Sequence, residues 1–249
     1  METELKPVST DDFSELQPSL EKMADDIMHY VATLSPSQFA DILSVSNTLA
    51  IKALKFAYDF PNKSTGLPAL NSFIGDAYRS LDASTLSQNA ITASESKLRI
   101  ISSAYGILKP DNIIKPYRLD FNKNVCGESL SPAKVFKQKV TVNLVKYIKD
   151  TGVKDIINLL PADAELCIDW KILRAFAKVH KVYFKSISND GKLKTPIAKR
   201  LKQLRGLMCR DILEKGLDSF AALTTAESSH YVYSPGDSKP LMAVFIVAE

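Results

Sequence analysis

The spacing of hydrophobic residues predicts helices in the first quarter of the chain. Between residues 8 and 58 apolar side chains recur every three or four positions, beginning with Leu16, Leu20, Met23, Ile27, Val31 and Leu34. Ser35-Pro36 predicts the start of a second helix, because serine caps a helix and proline suits its first position. A third helix is predicted from about Asn47 to Tyr58.

After this region, short apolar runs alternate with helical patterns. Helices are predicted at residues 84–95, 132–149 and 196–215, with Gly216 as the C-cap of the last. Strands are predicted at residues 69–74, 98–101, 154–160, 182–184, 231–233 and 241–247. Because helices lead and strands then interleave with them, the predicted fold class is mixed α+β.

Charge is distributed unevenly along the 249 residues. Residues 1–97 contain 7 Lys and Arg against 13 Asp and Glu, whereas residues 98–249 contain 25 against 15. We expect a single domain, 1–249, with an acidic helical part (1–97) and a basic mixed part (98–249). A basic segment of this kind favours a polyanionic partner.

Several classes of protein are disfavoured by what the sequence lacks. No apolar run approaches the roughly 18–20 residues of a membrane span, and the first residues are polar, so a cytoplasmic protein without membrane contact is expected. Three widely spaced cysteines, Cys126, Cys167 and Cys209, favour reduced thiols in or near the core. Glycine-rich phosphate loops and the usual hydrolase motifs are absent, and we expect no metal and no cofactor.

The densest candidate site is the segment 98–120. Its glycine turn could direct backbone N–H groups at a phosphate, with basic side chains adding charge and tyrosines stacking on bases. The alternative is a buried strand that leads into a proline-stiffened loop. The candidate residues are Tyr105, Gly106, Lys109, Lys115, Tyr117 and Arg118.

A second candidate is the predicted late helix. On a helical projection Lys199, Lys202 and Arg210 gather opposite an apolar stripe, with Arg205 on the flank. Such a face could lie along a phosphate backbone, although many solvated helix faces look similar.

A third candidate is the segment 73–79. Asp76 follows a glycine and could cap a helix, orient an arginine or ligate a metal. Asp120, which follows the basic turn, is a second possible acid or cap.

These three segments, in this order, resemble the YaaA peroxide-stress family. Its members carry Phe-x-Gly-Asp-x-Tyr, then Leu-Arg-x-Leu-Ser-Gly-Leu-Tyr-Gly-x-Leu-Arg-Pro with a following Pro-Tyr-Arg-Leu-Glu, and later Lys-x-x-Arg-Gly-x-Met-x-Arg. The matching segments here are 73–78, 98–110 with 115–120, and 202–210. The Ser-Gly of the second motif is Ser102-Ser103 in this chain.

The resemblance implies a compact mixed fold with a helix-hairpin-helix-like element and a positively charged cleft. It further implies binding to duplex or branched DNA and a role in resistance to hydrogen peroxide. Our leading hypothesis is a DNA-binding protein without enzymatic activity. The competing hypothesis is an enzyme acting on a phosphorylated or nucleotide-like small molecule. Convergence of Asp76, Asp120 and Arg205 in one deep pocket would favour the enzyme, and a broad basic groove would favour DNA.

Overall fold

The computed structural model describes residues 20–61, 66–127 and 129–248. Three helices come first: α1 (Leu20–Ala32), α2 (Pro36–Leu43) and α3 (Asn47–Asp59). The Ser35 hydroxyl accepts from the Gln38 amide, and the Gln38 side chain accepts from the Ser35 amide, which forms a capping box at the start of α2. The predicted second and third helices are confirmed. The part of the first predicted helix that precedes Leu20, including Leu16, lies outside the described residues.

Short elements follow the first three helices. They are β1 (Leu67–Pro68), α4 (Ala69–Ser72), α5 (Asp76–Leu81), a 3₁₀ turn (Ala83–Thr85) and α6 (Gln88–Lys97). The predicted strand at 69–74 is wrong, because residues 69–72 form a helical turn. The Ser72 hydroxyl donates to the carbonyls of Leu67 and Pro68 and so closes this turn.

A β-hairpin occupies the middle of the chain. Strand β2 (Ile100–Ser102) pairs antiparallel with β3 (Gly106–Leu108), and β4 (Ile113–Ile114) pairs antiparallel with β1. The hairpin corresponds to the predicted strand at 98–101 and the glycine turn after it. The helix-hairpin-helix-like element stays a prediction, because this arrangement does not specifically identify one.

The second half contains the main sheet. Its elements are α7 (Pro132–Thr151), β5 (Asp155–Asn158), a 3₁₀ turn (Ala164–Cys167), α8 (Trp170–Leu173), β6 (Lys178–Ile187), β7 (Leu193–Lys194), α9 (Ala198–Glu214), α10 (Phe220–Thr225), β8 (Tyr231–Tyr233) and β9 (Met242–Val247). The strand order is β5-β6-β9-β8, with β7 beside the end of β6. Strands β5, β6 and β9 are parallel, and β8 is antiparallel to β9. The mixed α+β class is confirmed.

Apolar side chains from all parts of the described chain form the core. One cluster joins α1–α3 to the hairpin, to α7 and to Val179 of β6. A second packs α9, through Leu204 and Met208, against Phe184 and Phe245 of the sheet. A third, which includes Leu81 and Leu213, joins α5 and α6 to α9. Among the residues that the structure describes, no helix is both long and apolar enough to cross a bilayer. The boundaries of the predicted single domain stay a prediction.

Candidate functional site

A cleft of about 1230 Å³ opens on the described surface. It lies between the segment 73–79, the loop 116–121, strand β5 with the residues after it, and one face of α9. Apolar side chains such as Ile100, Ile156 and Leu160 form much of its wall. Charged side chains come from the segment 73–79, the loop and α9, so an apolar chamber is bordered by charge.

Close packing of α5 against α9 fixes one side of this cleft. A Cβ atom at Gly206 would overlap the carbonyl oxygen of Ala77, so only glycine allows the two helices to lie this close. One turn further along, the Arg210 guanidinium donates to the Leu81 carbonyl. The contacts advance by four residues in the same direction on both helices, which therefore run parallel.

Arg205, on α9, is a partly buried cation that lines the cleft. Its side chain is half-buried, and within the described chain no hydrogen bond or ion pair satisfies its guanidinium. Burial lowers the pKa of Arg205, and the nearby carboxylates of Glu165 and Asp163 act in the opposite direction. Because arginine titrates so far above neutrality, Arg205 remains positively charged. The cleft thus contains a partly desolvated cation without a counterion in contact.

Further charged side chains border the cleft, and they include other cations as well as the carboxylates of Asp76, Asp120, Asp155 and Asp218. Arg118 and Lys202 are exposed, and neither has an ion pair in the part of the chain that is described. Arg79 is also exposed and lies only loosely beside Asp76, with 3.9 Å between guanidinium nitrogen and carboxylate oxygen. An anion entering the cleft would meet three or four positive side chains.

Aromatic side chains from two segments line the same chamber. Phe73 stacks on Tyr78 with 4.7 Å between ring centroids, and Phe73 also meets the edge of Tyr117. Burial raises the pKa of Tyr78, with smaller contributions from Tyr117 and Cys209, so its hydroxyl is neutral. That hydroxyl has no hydrogen-bond partner among the described residues, and it remains available as a donor.

The floor of the cleft is a hydrogen-bonded network at the end of β5. The Asn158 side-chain amide donates to Glu165 at 2.8 Å, and the Lys181 ammonium lies 2.7 Å from the other oxygen of that carboxylate. At the start of β5, Asp155 lies 2.6 Å from Nε2 of the buried His180. The His180 ring stacks on Phe220 at 3.8 Å. Asn158, Glu165, Lys181 and Asp155 are thus engaged with one another or with His180, whereas Nδ1 of His180 is buried without a hydrogen-bond partner in the described chain.

The structure brings together seven of the twelve candidate residues predicted from the sequence. Those that line the cleft are Asp76, Lys115, Tyr117, Arg118, Asp120, Lys202 and Arg205. Those that do not line it are Tyr105, Gly106, Lys109, Lys199 and Arg210. Lys109 and Lys199 are exposed elsewhere on the surface, and the other three are in the interior or engaged in contacts within the chain.

The turn near Gly106 does not present free amides to solvent. The amides of Ala104 and Tyr105 both donate to the Ser102 hydroxyl, which in turn lies 2.7 Å from the Tyr117 hydroxyl. Gly106 is buried at a φ of 73°, and a side chain there would collide with Phe136. This arrangement matches the alternative of a buried strand leading into a stiff loop, so the proposal below does not use the turn.

Two of the predicted cations are held by contacts within the chain. The Arg210 guanidinium donates to the carbonyls of Leu81, Asp82 and Thr85. The Lys115 ammonium donates to the Phe60 carbonyl and lies 4.8 Å from the centre of the Phe60 ring. Both residues therefore brace the fold in the absence of a ligand.

Sequence patterns did not single out several residues that line the cleft. Tyr78 and Arg79 belong to the third motif, but nothing in their spacing indicates that they face a cavity. Asp155 also lines the cleft, and its partner His180, which lies 25 positions away and outside the lining, meets it because β5 and β6 pair in parallel. Only the sheet register, which the sequence does not display, brings them together.

Metal binding and thiol chemistry find little support in the geometry. Within residues 20–61, 66–127 and 129–248, no group of three or more His, Cys, Asp or Glu side chains could hold a metal ion. Cys126, Cys167 and Cys209 are all free thiols, as predicted, and burial raises the pKa of each to about 12. The described cysteines are therefore poor nucleophiles at neutral pH.

Comparison with known sequences identifies the family. Residues 1–237 match the family described as peroxide stress protein YaaA. A UPF0246 protein of Idiomarina loihiensis is 30% identical over 239 residues, which cover 94% of this chain and 90% of the relative. A UPF0246 protein of Shewanella pealeana is 29% identical and covers 98% of this chain and 94% of its own length. The expected resemblance is confirmed, and the chain belongs to the YaaA (UPF0246) family of peroxide stress proteins.

Proposed function

We propose that this protein binds DNA in the response to hydrogen peroxide, and that it holds backbone phosphates at the cleft through Arg118, Lys202 and Arg205. The observation that carries the proposal is the state of Arg205. Its guanidinium is half-buried, and the described residues supply neither a hydrogen bond nor an ion pair to it. Its nitrogen atoms still reach solvent, so an anionic ligand can bind this cation without displacing a contact within the described chain.

The neighbouring cations fit a strand-shaped polyanion better than a single small anion. Lys202 lies one helical turn before Arg205. Lys199 continues the row by a further turn and is exposed outside the cleft. Arg118 contributes from the loop across the opening. A row of cations that leads out of a cavity suits consecutive phosphates.

The charge balance of the chain supports the same partner. Residues 98–249 contain ten more basic than acidic residues, whereas residues 1–97 contain six more acidic than basic residues. Contacts with phosphates alone carry no sequence information, so binding should be weakly selective for sequence and strongly dependent on salt.

The experiment measures the affinity for fluorescently labelled DNA by anisotropy across a series of salt concentrations. The ligands are duplex, single-stranded and four-way DNA. We expect the combined change Arg118→Gln, Lys202→Gln and Arg205→Gln to flatten the slope of log K against log salt by about two to three units.

A matched control removes three cations elsewhere. Lys52, Lys146 and Arg174 are exposed, do not line the cleft and have no ion pair in the described chain. Their combined change to Gln should reduce the slope less than the cleft substitutions do. Equal slopes in the two triple variants would contradict a phosphate site at the cleft.

A second candidate function rests on one observation. Asp76, Asp120 and Arg205 line the same cleft, which is the convergence predicted above for an enzyme acting on a phosphorylated small molecule. This candidate predicts that a mononucleotide binds saturably and competes fully with DNA. It also predicts that Asp120→Asn preserves binding while abolishing any turnover.

A further inference from the structure

Ile74 is an exposed aliphatic side chain on the rim of the cleft. Its exposed fraction is 74%, and it lies in the loop between α4 and α5, next to Gly75. Its neighbour Phe73 is half-buried and stacks on Tyr78 inside the cleft. The loop therefore anchors one large side chain in the chamber and leaves the next one projecting at the mouth.

This isoleucine and the cations of α9 border the same opening. Ile74 lies just before α5, whose Ala77 contacts Gly206 of α9. Lys202 and Arg205 lie on α9 before that contact. Ile74, Lys202 and Arg205 all line the cleft.

The chamber has room for a single nucleotide. Its volume of about 1230 Å³ is slightly larger than the roughly 300–1,000 Å³ typical of pockets that enclose small ligands. A double helix keeps its bases stacked inside and its phosphates outside, so an intact duplex cannot place a base against the apolar wall. One base turned out of its stack can do so.

The interior of the chamber has both apolar surface for the face of a nucleic-acid base and polar groups for its edge. Ile100, Ile156 and the ring of Phe73 provide apolar surface. The Tyr78 hydroxyl has no partner in the described chain, and the Asp120 carboxylate also faces the cleft without an ion pair. A donor and an acceptor on an apolar wall are the groups that read the edge of an unstacked base.

We propose that the cleft receives one nucleotide extruded from a DNA strand, with its base on the apolar wall, its phosphate at Arg205 and Lys202, and Ile74 occupying the vacated place in the stack. This inference rests on the proposed DNA binding. Aliphatic side chains that enter base steps in this way are known from other DNA-binding proteins, and extrusion costs least at a mismatch.

The test uses duplexes with a central 2-aminopurine, opposite either thymine or a mismatched cytosine. The fluorescence of 2-aminopurine rises when the base leaves its stack, and anisotropy of an end label measures binding in the same samples. We expect a several-fold rise in 2-aminopurine fluorescence on saturation with the protein. The rise and the affinity should both be greater for the mismatched duplex.

Two variants separate extrusion from simple binding. Ile74→Ser should keep most of the affinity and its salt slope but lose most of the rise in fluorescence, and Ile74→Ala should behave in the same way. The control is Ile51→Ser on α3, where the side chain is 55% exposed and does not line the cleft. It should match the wild type in both measurements.

The outcomes distinguish this inference from the proposed function. Saturated binding with unchanged 2-aminopurine fluorescence overturns extrusion and leaves DNA binding intact. An equal loss of fluorescence in the Ile51 and Ile74 variants also overturns it. Absence of any change in anisotropy contradicts DNA binding itself. A further outcome is that the fluorescence of 2-aminopurine nucleoside monophosphate changes on addition of the protein while that of the duplexes does not. This result assigns the chamber to a small molecule and overturns extrusion.

Discussion

Gly206 of α9 lies directly against the backbone carbonyl of Ala77 in α5, with no space for a side chain between them. This contact sets the distance between the helix that carries Lys202 and Arg205 and the helix that follows the rim loop. The glycine is therefore the position on which the shape of that side of the cleft depends most directly.

Replacement of Gly206 by alanine should destabilise the protein. The added methyl group would overlap backbone atoms of Ala77, which cannot rotate away as a side chain could, so α5 and α9 must separate. We expect a loss of about 1–3 kcal/mol in the free energy of unfolding, measured by urea denaturation. Gly236→Ala is the control, because a Cβ there has no neighbour within 4 Å and the change should be nearly neutral. Equal stabilities of the two variants would contradict this account of the helix contact.

Replacement of Arg210 by alanine should reduce stability without flattening the salt dependence of DNA binding. Its guanidinium donates to carbonyls at the end of α5 and in the turn that follows, including those of Leu81 and Asp82. We expect a loss of about 1–2 kcal/mol in unfolding free energy, since several hydrogen bonds from one charged group are removed together. Arg174→Ala, which removes an exposed arginine, should be close to neutral. A flattened salt slope in the Arg210 variant would instead place this residue at the DNA.

The three thiols should react slowly in the native protein. Burial raises the pKa of Cys126, Cys167 and Cys209 to about 12, from an ordinary value of 9.0, so the thiolate fraction at neutral pH falls by about 1,000-fold. Mass spectrometry after iodoacetamide or hydrogen peroxide treatment at pH 7 should find little modification, and labelling should rise steeply in urea. Rapid formation of a sulfenic acid at any of the three would disprove this expectation.

Replacement of Asp211 by asparagine should weaken the protein at neutral pH more than in acid. Burial alone would raise the pKa of Asp211, but hydrogen bonds from Lys215, Tyr231 and Ser228 outweigh it and hold the pKa below its ordinary value of 3.8. A carboxyl group with a depressed pKa stabilises the folded state above the unfolded pKa and loses that effect as the pH falls through the folded one.

The stability difference between wild type and Asp211→Asn should therefore be constant from pH 7 to about 5 and shrink below pH 4. Urea denaturation at each pH measures it. The exposed Asp150, changed to Asn, should show no such trend. A difference that persists unchanged at pH 3 would contradict the assigned role of the ionised carboxylate.

Local patterns predicted the long elements well. The spacing of apolar residues located α7 and α9 to within a few positions, because each helix buries one stripe over many turns. The run Ala69–Ile74 was assigned the wrong structure, since a short apolar segment has no period by which helix and strand can be told apart. The structure of this run depends on hydrogen bonds from the amides of Ala69 and Leu70 to the carbonyls of Asn112 and Pro110, which are far away in the sequence.

The candidate site was only partly accessible to sequence reasoning. Charge and motif indicate Lys202, Arg205 and Arg210 equally as candidates for phosphate binding. In the structure, however, Arg210 bonds to a carbonyl of α5, whereas Arg205 lines the cleft. Periodicity gives angles around a helix but does not say which neighbour occupies each side. Nothing in the sequence indicates that the Ile74 side chain is exposed beside the cleft, because its exposure depends on the path of the loop after α4.

The parallel contact between α5 and α9 has a thermodynamic consequence for any ligand of the cleft. Side chains on a loose loop must surrender conformational freedom when they bind, which subtracts from the affinity. Here Asp76 and Tyr78 of α5 and Arg205 of α9 are carried on two helices whose backbones touch at Gly206. The backbone that carries these side chains is therefore fixed when the protein folds, and a ligand does not have to order it on binding.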